Sequence, residues 1–89
     1  MKTAFCKKYG ENGDKDYEVM YEIIDHVGVI SERIADGWKK EVNIVAWNGG
    51  APKIDIRDWD AHHERMSRGI TLVEEDAREL AKALTQYFI

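Results

Sequence analysis

Apolar and polar residues alternate over Lys39–Trp47 and again over Lys53–Trp59, and Asn48-Gly49-Gly50-Ala51-Pro52 separates the two runs. A period of two predicts strands, because successive strand side chains point to opposite faces. Asn-Gly between two alternating runs predicts a hairpin, here with a loop longer than two residues. Pro52 fits only at the start of the second strand. The two runs are therefore expected to be antiparallel neighbours. One shared face collects Val42, Ile44, Ala46, Ile54 and Ile56 and reads as core. The other collects Lys39, Glu41, Asn43, Val45 and Trp47 with Lys53, Asp55, Arg57 and Trp59. This second face is expected to meet water, and an exposed aromatic–basic cluster says more about function than scattered apolar residues do.

The rest of the chain extends this plan. Tyr17 to Ile34 is rich in Val, Ile and Tyr, which favours strand over helix. Tyr21 and Ile23 share one parity; Ile24, Gly28 and Ile30 have the other. One long strand that bulges or bends near Asp25–Gly28 accounts for this, and two shorter strands fit equally. Ala35-Asp36-Gly37 reads as a turn, Asp60 to Ser67 as a polar loop, and Gly69-Ile70-Thr71-Leu72 as a short strand. Val73, Ala77, Leu80, Ala81, Leu84 and Phe88 recur every three or four residues. That is the stripe of an amphipathic helix, expected to cover the sheet's apolar face. Thr71-x-x-Glu74 is a candidate capping box, and Glu74, Glu75 and Asp76 suit the positive helix end. Tyr87, Phe88 and Ile89 make the end of the helix apolar nearly all round, as a partner surface would be. Residues 1–16 have no sustained period and read as a flexible tail before a single domain at 17–89.

Composition changes the picture in two ways. At 89 residues the chain holds one domain with a small core. Cys6 is the only cysteine, which excludes an intrachain disulfide and fits a reducing cytoplasm. Oligomerisation is then the expected way to add core. No apolar run approaches the ~20 residues that span a bilayer, and Met1 to Gly10 lacks the apolar region of a signal peptide, so no membrane role is expected. The charge balance is acidic, 17 Asp and Glu against 13 Lys and Arg, net −4. Read globally, this argues against nucleic-acid binding. Binding follows the local field, however, since screening hides charges beyond about 10 Å at ~0.1 M salt. Acidic residues gather at Glu74–Glu79 and Glu11–Glu22; basic ones fall at Lys39, Lys40, Lys53, Arg57, Arg65 and Arg68.

An aromatic ring stacks on unpaired bases of any sequence at about 1–3 kcal/mol per base. Lys39, Lys53, Arg57 and Arg68 can neutralise phosphates beside Trp47 and Trp59. The bland alternative packs both tryptophans in a core or dimer contact and pairs Arg57 with Asp55 or Asp58. A protein–protein adaptor would use the same two tryptophans as anchors. Asp58, Asp60, His62, His63 and Glu64 have metal-ligating or acid–base chemistry, but adjacent histidines without cysteine lack the spacing of a zinc site. Gly49-Gly50 lacks the strand–loop–helix context of a phosphate loop, and no nucleophile–base pattern occurs. No cofactor, metal, small-molecule substrate or enzymatic activity is expected.

The order of these pieces resembles the positive cofactor four family of single-stranded-DNA-binding transcriptional coactivators, and more closely its small bacterial members. The similarity runs from Tyr21 to Leu84. It rests on Asp55-Ile56-Arg57-x-Trp59 followed by Arg68-Gly69-Ile70-Thr71-Leu72 and an acidic helix start. The resemblance implies an α+β fold: a curved four-stranded antiparallel sheet followed by one C-terminal helix. It also implies a homodimer whose sheets present grooves to unpaired DNA, in the cytoplasm and associated with the nucleoid. By position, Trp47 and Trp59 resemble the family's stacking aromatics and Arg57 its central sheet arginine. Arg68 resembles the basic residue before Gly-Ile-Ser/Thr-Leu, and Lys53 a lysine that contacts the nucleic-acid backbone. Single-stranded RNA is a close variant of the same target. The chain departs from the family in placing Val73 where relatives have a small polar cap, in lacking a serine- and lysine-rich regulatory tail, and in its acidic balance.

Overall fold

The computed structural model describes the backbone of residues 2–11 and 15–89, with side chains from Met20 onward. Five strands form one antiparallel sheet in chain order: β1 (Lys2–Glu11), β2 (Lys15–Glu32), β3 (Lys39–Trp47), β4 (Pro52–Trp59) and β5 (Met66–Leu72). The helix α1 (Glu74–Phe88) follows. The four expected strands and the C-terminal helix are therefore β2–β5 and α1. The backbone of β1, where a tail was expected, runs antiparallel to β2 from Lys2 opposite Ile23 to Glu11 opposite Lys15. Strand β2 outruns β3, and its free edge supplies the N–H and C=O groups that β1 pairs with; no alternation in β1 is needed for that. The turn formers Asn12, Gly13 and Asp14, and the side chain of Cys6, lie outside the described residues.

The hairpin between β3 and β4 closes as the Asn-Gly signal predicts. Asn48 and Gly49 both take positive φ, 51° and 76°, and Gly50 N donates to Trp47 O at 2.8 Å. This is the pattern of a type I′ turn, whose twist matches that of the strands. The turn is tied to β2 by Asn48, whose N–H donates to Met20 O while its Oδ1 accepts from Met20 N. β3 and β4 then pair without a slip from Ala46 opposite Pro52 to Lys39 opposite Trp59.

β2 is one strand of 18 residues, bent at three places where its register against β3 shifts: Ile23/Asp25, His26/Gly28 and Val29/Ser31. Each extra residue on β2 kinks the strand and adds right-handed twist. The sheet rolls as a result, and this reverses the expected core. Of the expected core only Ala46 is buried, and Val42, Ile44, Ile54 and Ile56 are half-buried, whereas Glu41, Asn43, Val45, Asp55 and Trp59 on the other parity are buried. With Tyr21 and Ile23 these form the inner face, closed by curvature and by the loop after β4. Alternation told the two faces apart but not which one the roll encloses.

The helix does not cover the sheet. It has no buried residue. Ala77 and Ala81 stand across a cleft from Ile44 and Ile54 on the outer face, while Leu80, Leu84, Tyr87, Phe88 and Ile89 are exposed. The capping box also fails to form: Val73 is the N-cap without a side-chain bond, and Thr71 is engaged with Asp55 instead. The loop after β4 is shorter than expected, because Met66 and Ser67 join β5, with Met66 opposite Trp59. The open arrangement shows in the dimensions. The radius of gyration is 14.1 Å, against about 12 Å for a compact chain of this length.

Candidate nucleic-acid interface

Arg57 organises the inner face. Its side chain runs back along β4 over Asp55, two residues earlier on the same face. Nε donates to Asp55 Oδ2 at 2.7 Å and Nη2 to Asp55 Oδ1 at 2.8 Å, a bidentate pair. Asp55 is fully buried and also accepts from Thr71 Oγ1 at 2.9 Å. The other guanidinium donors point at Thr71 Oγ1 (3.5 Å), Ser67 O (3.4 Å) and Met66 Sδ (3.8 Å). The guanidinium carbon lies 4.7 Å from the Trp47 ring centre, within cation–π range. A buried ion pair adds little net stability once desolvation is counted; what it fixes here is the geometry of the arginine. Asp58, the other acid flanking Arg57, is turned to the outer face, 2.9 Å from Lys40 Nζ and 3.8 Å from Arg33.

Position 69 is part of this arrangement. Gly69 pairs with Arg57 across β4 and β5. A Cβ built there would collide with the Ile56 carbonyl and with Arg57 Cβ, and would lie 3.0 Å from Arg57 Nε. Only glycine leaves the arginine its path. Gly69, Thr71 and Asp55 were not among the expected site residues. Their signals were present as the Gly of Arg68-Gly69-Ile70-Thr71 and as an acid two residues before the arginine on the same strand face.

The aromatic residues form a tilted series. Tyr21 lies 5.9 Å from Trp47 and 5.2 Å from Trp59, and Trp59 lies 5.6 Å from His63. Trp47 is half-buried, with part of its surface open. Trp59 is 0% exposed, which corrects the expectation that water reaches it. The roll of the sheet, Tyr21 and the loop after β4 enclose it. Both indole nitrogens are buried without a hydrogen-bond partner among the described residues.

That loop is held by its own polar groups. Asp60 Oδ1 accepts from Glu64 N at 2.8 Å and from Arg65 N at 3.0 Å. His63 takes φ 58°, a left-handed conformation uncommon outside glycine, and its Nε2 meets both oxygens of buried Glu41 at 2.9 and 3.1 Å. The Tyr21 hydroxyl donates to His63 O. Burial, then the charges of Asp60 and Glu64, push the Tyr21 phenol up to about 12. Glu41 also accepts from Asn43 Nδ2 at 3.0 Å, and Asn43 Oδ1 lies 2.7 Å from His26 Nδ1. The acids and histidines of residues 58–64 thus serve separate tasks: Asp58 on the outer face, Asp60 within the loop, and His63 on the inner face.

The expected cations are divided. Lys39 has inner-face parity and is half-buried opposite Trp59; Lys53 is exposed opposite Val45. They stand at the two ends of the inner face, six residues apart in register, roughly 20 Å at strand rise. Arg68 is exposed on β5, the sheet edge, with outer-face parity. A second cation–π pair, Arg33 over Trp38 at 5.1 Å, stands at the β2–β3 turn.

A rolled antiparallel sheet ending in one helix, with a stacked tryptophan–arginine pair on its inner face, defines the class of domain. Residues 34–83, more than half of the chain, match the family described as Transcriptional Coactivator p15 (PC4), and the chain belongs to that family. An uncharacterized protein of Treponema pallidum (strain Nichols) is 32% identical over 66 residues, which are 74% of this chain and 76% of the relative.

Proposed function

We propose that this protein binds single-stranded DNA with little sequence preference, as a homodimer and without catalysing a reaction. The observation that carries the reading is the Trp47–Arg57 stack, fixed by Asp55, Thr71 and Gly69 before any ligand arrives. An ordered aromatic–guanidinium surface suits unpaired bases, which every sequence offers and a duplex hides. Lys39 and Lys53, at the two ends of the inner face, and Arg68 at the β5 edge serve phosphates along the strand's path. Trp59 supports the groove from beneath through Tyr21. Membership of the coactivator family supports a nucleic-acid target; the role proposed for it is in transcription or in DNA repair or replication, in the cytoplasm.

The dimer is supported by what the monomer leaves uncovered. No residue of the helix is buried, and several of its apolar side chains face outward. Leu80, Leu84, Tyr87 and Phe88 on the helix are among the exposed apolar side chains that a partner could cover.

Fluorescence anisotropy of a labelled oligo-dT, its duplex form and a matched RNA tests the reading at low salt. Binding to oligo-dT at micromolar protein, weaker binding to duplex and a steep loss with added salt are expected. No binding to any of the three oligomers points to a protein interface instead, and equal binding of the RNA widens the target.

A further inference from the structure

We propose that the β1–β2 hairpin is an arm that carries a single strand past the end of the sheet, with Lys7, Tyr9 and Tyr17 as its contact positions. The proposal rests on the single-strand reading above and adds a contact region outside residues 34–83, the part of the chain that matches the coactivator family. Pairing of β2 with β3 ends at Tyr21 opposite Trp47, and the turn after β3 is bonded to Met20. Pairing of β2 with β1 goes on through Val19 opposite Lys7, Glu18 opposite Lys8, Tyr17 opposite Tyr9 and Asp16 opposite Gly10 to Lys15 opposite Glu11. These rows form a two-stranded ribbon that overhangs the sheet, and from Tyr21 to Lys15 it runs on for about 20 Å at strand rise.

Register sorts the ribbon into two unlike faces, because opposed residues share a face and faces alternate along each strand. Tyr21 belongs to the inner face, 5.9 Å from Trp47. Val19, Tyr17 and Lys15 follow it at every second position, opposite Lys7, Tyr9 and Glu11. Asp16, Glu18 and Glu22 take the other face, with Lys8 opposite Glu18. The acids of β2 are thus set apart from the file that continues Trp47 and Tyr21, and Glu11 stands only at its far end, opposite Lys15. What that file offers is a lysine and a cross-strand pair of tyrosines: a charge for phosphate and rings for bases of any sequence. On the sheet Arg57 is already matched by Asp55, so a cation on the arm adds to the phosphates the surface can neutralise.

Lys7 and Lys8 are neighbours on opposite faces, which makes them a matched pair for the test. Wild type, Lys7→Gln, Lys8→Gln and Tyr9→Leu/Tyr17→Leu are titrated with oligo-dT over a range of NaCl, and a thermal melt reports whether each is folded. A phosphate contact on a single strand contributes about 0.7 to the salt slope. Lys7→Gln is expected to lower the slope by that amount, and Lys8→Gln to leave it unchanged. The tyrosine variant keeps every charge and is expected to bind about tenfold more weakly at an unchanged slope. Equal slopes for Lys7→Gln and Lys8→Gln, or wild-type affinity of the tyrosine variant, overturns the arm while leaving single-strand binding intact. If the tyrosine variant misfolds, the comparison of Lys7→Gln with Lys8→Gln decides the matter. Wild type that does not bind oligo-dT removes the single-strand reading, and the arm with it.

Discussion

Gly69 faces Arg57 across the β4–β5 pair, and the missing side chain at position 69 is what lets the guanidinium lie along the sheet toward Trp47. Three strands thereby contribute to one ordered element: Trp47 from β3, Asp55 and Arg57 from β4, and Gly69 and Thr71 from β5. Arg57 is held in place because its guanidinium nitrogens are directed at acceptors inside the protein, so little of its side-chain entropy remains to be lost on binding.

Gly69→Ala forces Arg57 or the Ile56 carbonyl to move, since the methyl group has no room beside either. Overpacking of this kind costs about 2 kcal/mol, which for a domain of this size lowers Tm by roughly 10 °C. A thermal melt at fixed protein concentration checks the stability. Tryptophan emission, compared with and without Trp47→Phe, checks the displacement of the guanidinium from the indole.

Asp55→Ala removes the carboxylate that holds Arg57 and leaves a guanidinium only 12% exposed without its counter-charge. Breaking such a pair from one side costs about 3 kcal/mol. Asp55→Asn keeps the shape and one acceptor oxygen and is expected to cost less. Urea midpoints of the two variants against wild type measure the difference.

The Tyr21 phenol, raised to about 12 by burial and by the charges of Asp60 and Glu64, links stability to alkaline pH. The fold favours the neutral, protonated phenol, which donates to His63 O. Its contribution is complete below pH 10, where the phenol is neutral in the unfolded chain too. It declines as the unfolded chain ionises and is lost as pH rises through about 12. Urea midpoints from pH 8 to 12 are expected to fall more steeply for wild type than for Tyr21→Phe, which lacks the titrating group.

The helix stripe predicts the assembly. Leu80 is 39% and Leu84 48% exposed in the single chain, values at odds with a stable isolated amphipathic helix. Leu80→Asp with Leu84→Asp is expected to convert a dimer to a monomer by multi-angle light scattering at tens of micromolar. A wild type that is already monomeric there contradicts the dimer.

Much of this fold is legible in the alternation itself. The β3–β4 hairpin, its register and its Asn-Gly turn follow from period and turn chemistry, both local. The bulged β2 strand was one of two local readings of a parity change near Asp25–Gly28. What lies beyond the pattern is non-local. The direction of roll depends on three register shifts in β2 accumulating, and it decides that Asn43, Asp55 and Trp59 are enclosed while Ile44 and Ile54 stay half open. Edge pairing by β1 needs only backbone groups and leaves no side-chain signal. At the site, parity put Lys39, Trp47, Lys53 and Arg57 on one face and offered Asp55 or Asp58 as partners of the arginine; the structure pairs it with Asp55 and packs Trp59, and what parity could not show is that the path exists only where β5 places a glycine opposite.

The central claim is that Trp47, with Arg57 behind it, is where an unpaired base stacks. The most direct test follows intrinsic tryptophan emission during titration with oligo-dT at low salt, in wild type and in Trp47→Ala. The account predicts quenching in wild type. In Trp47→Ala it predicts loss of most of that quenching and an affinity weaker by roughly tenfold or more, the worth of one stacked base. Unchanged affinity in Trp47→Ala, with the protein folded and the quenching retained by Trp38 or Trp59, would contradict it.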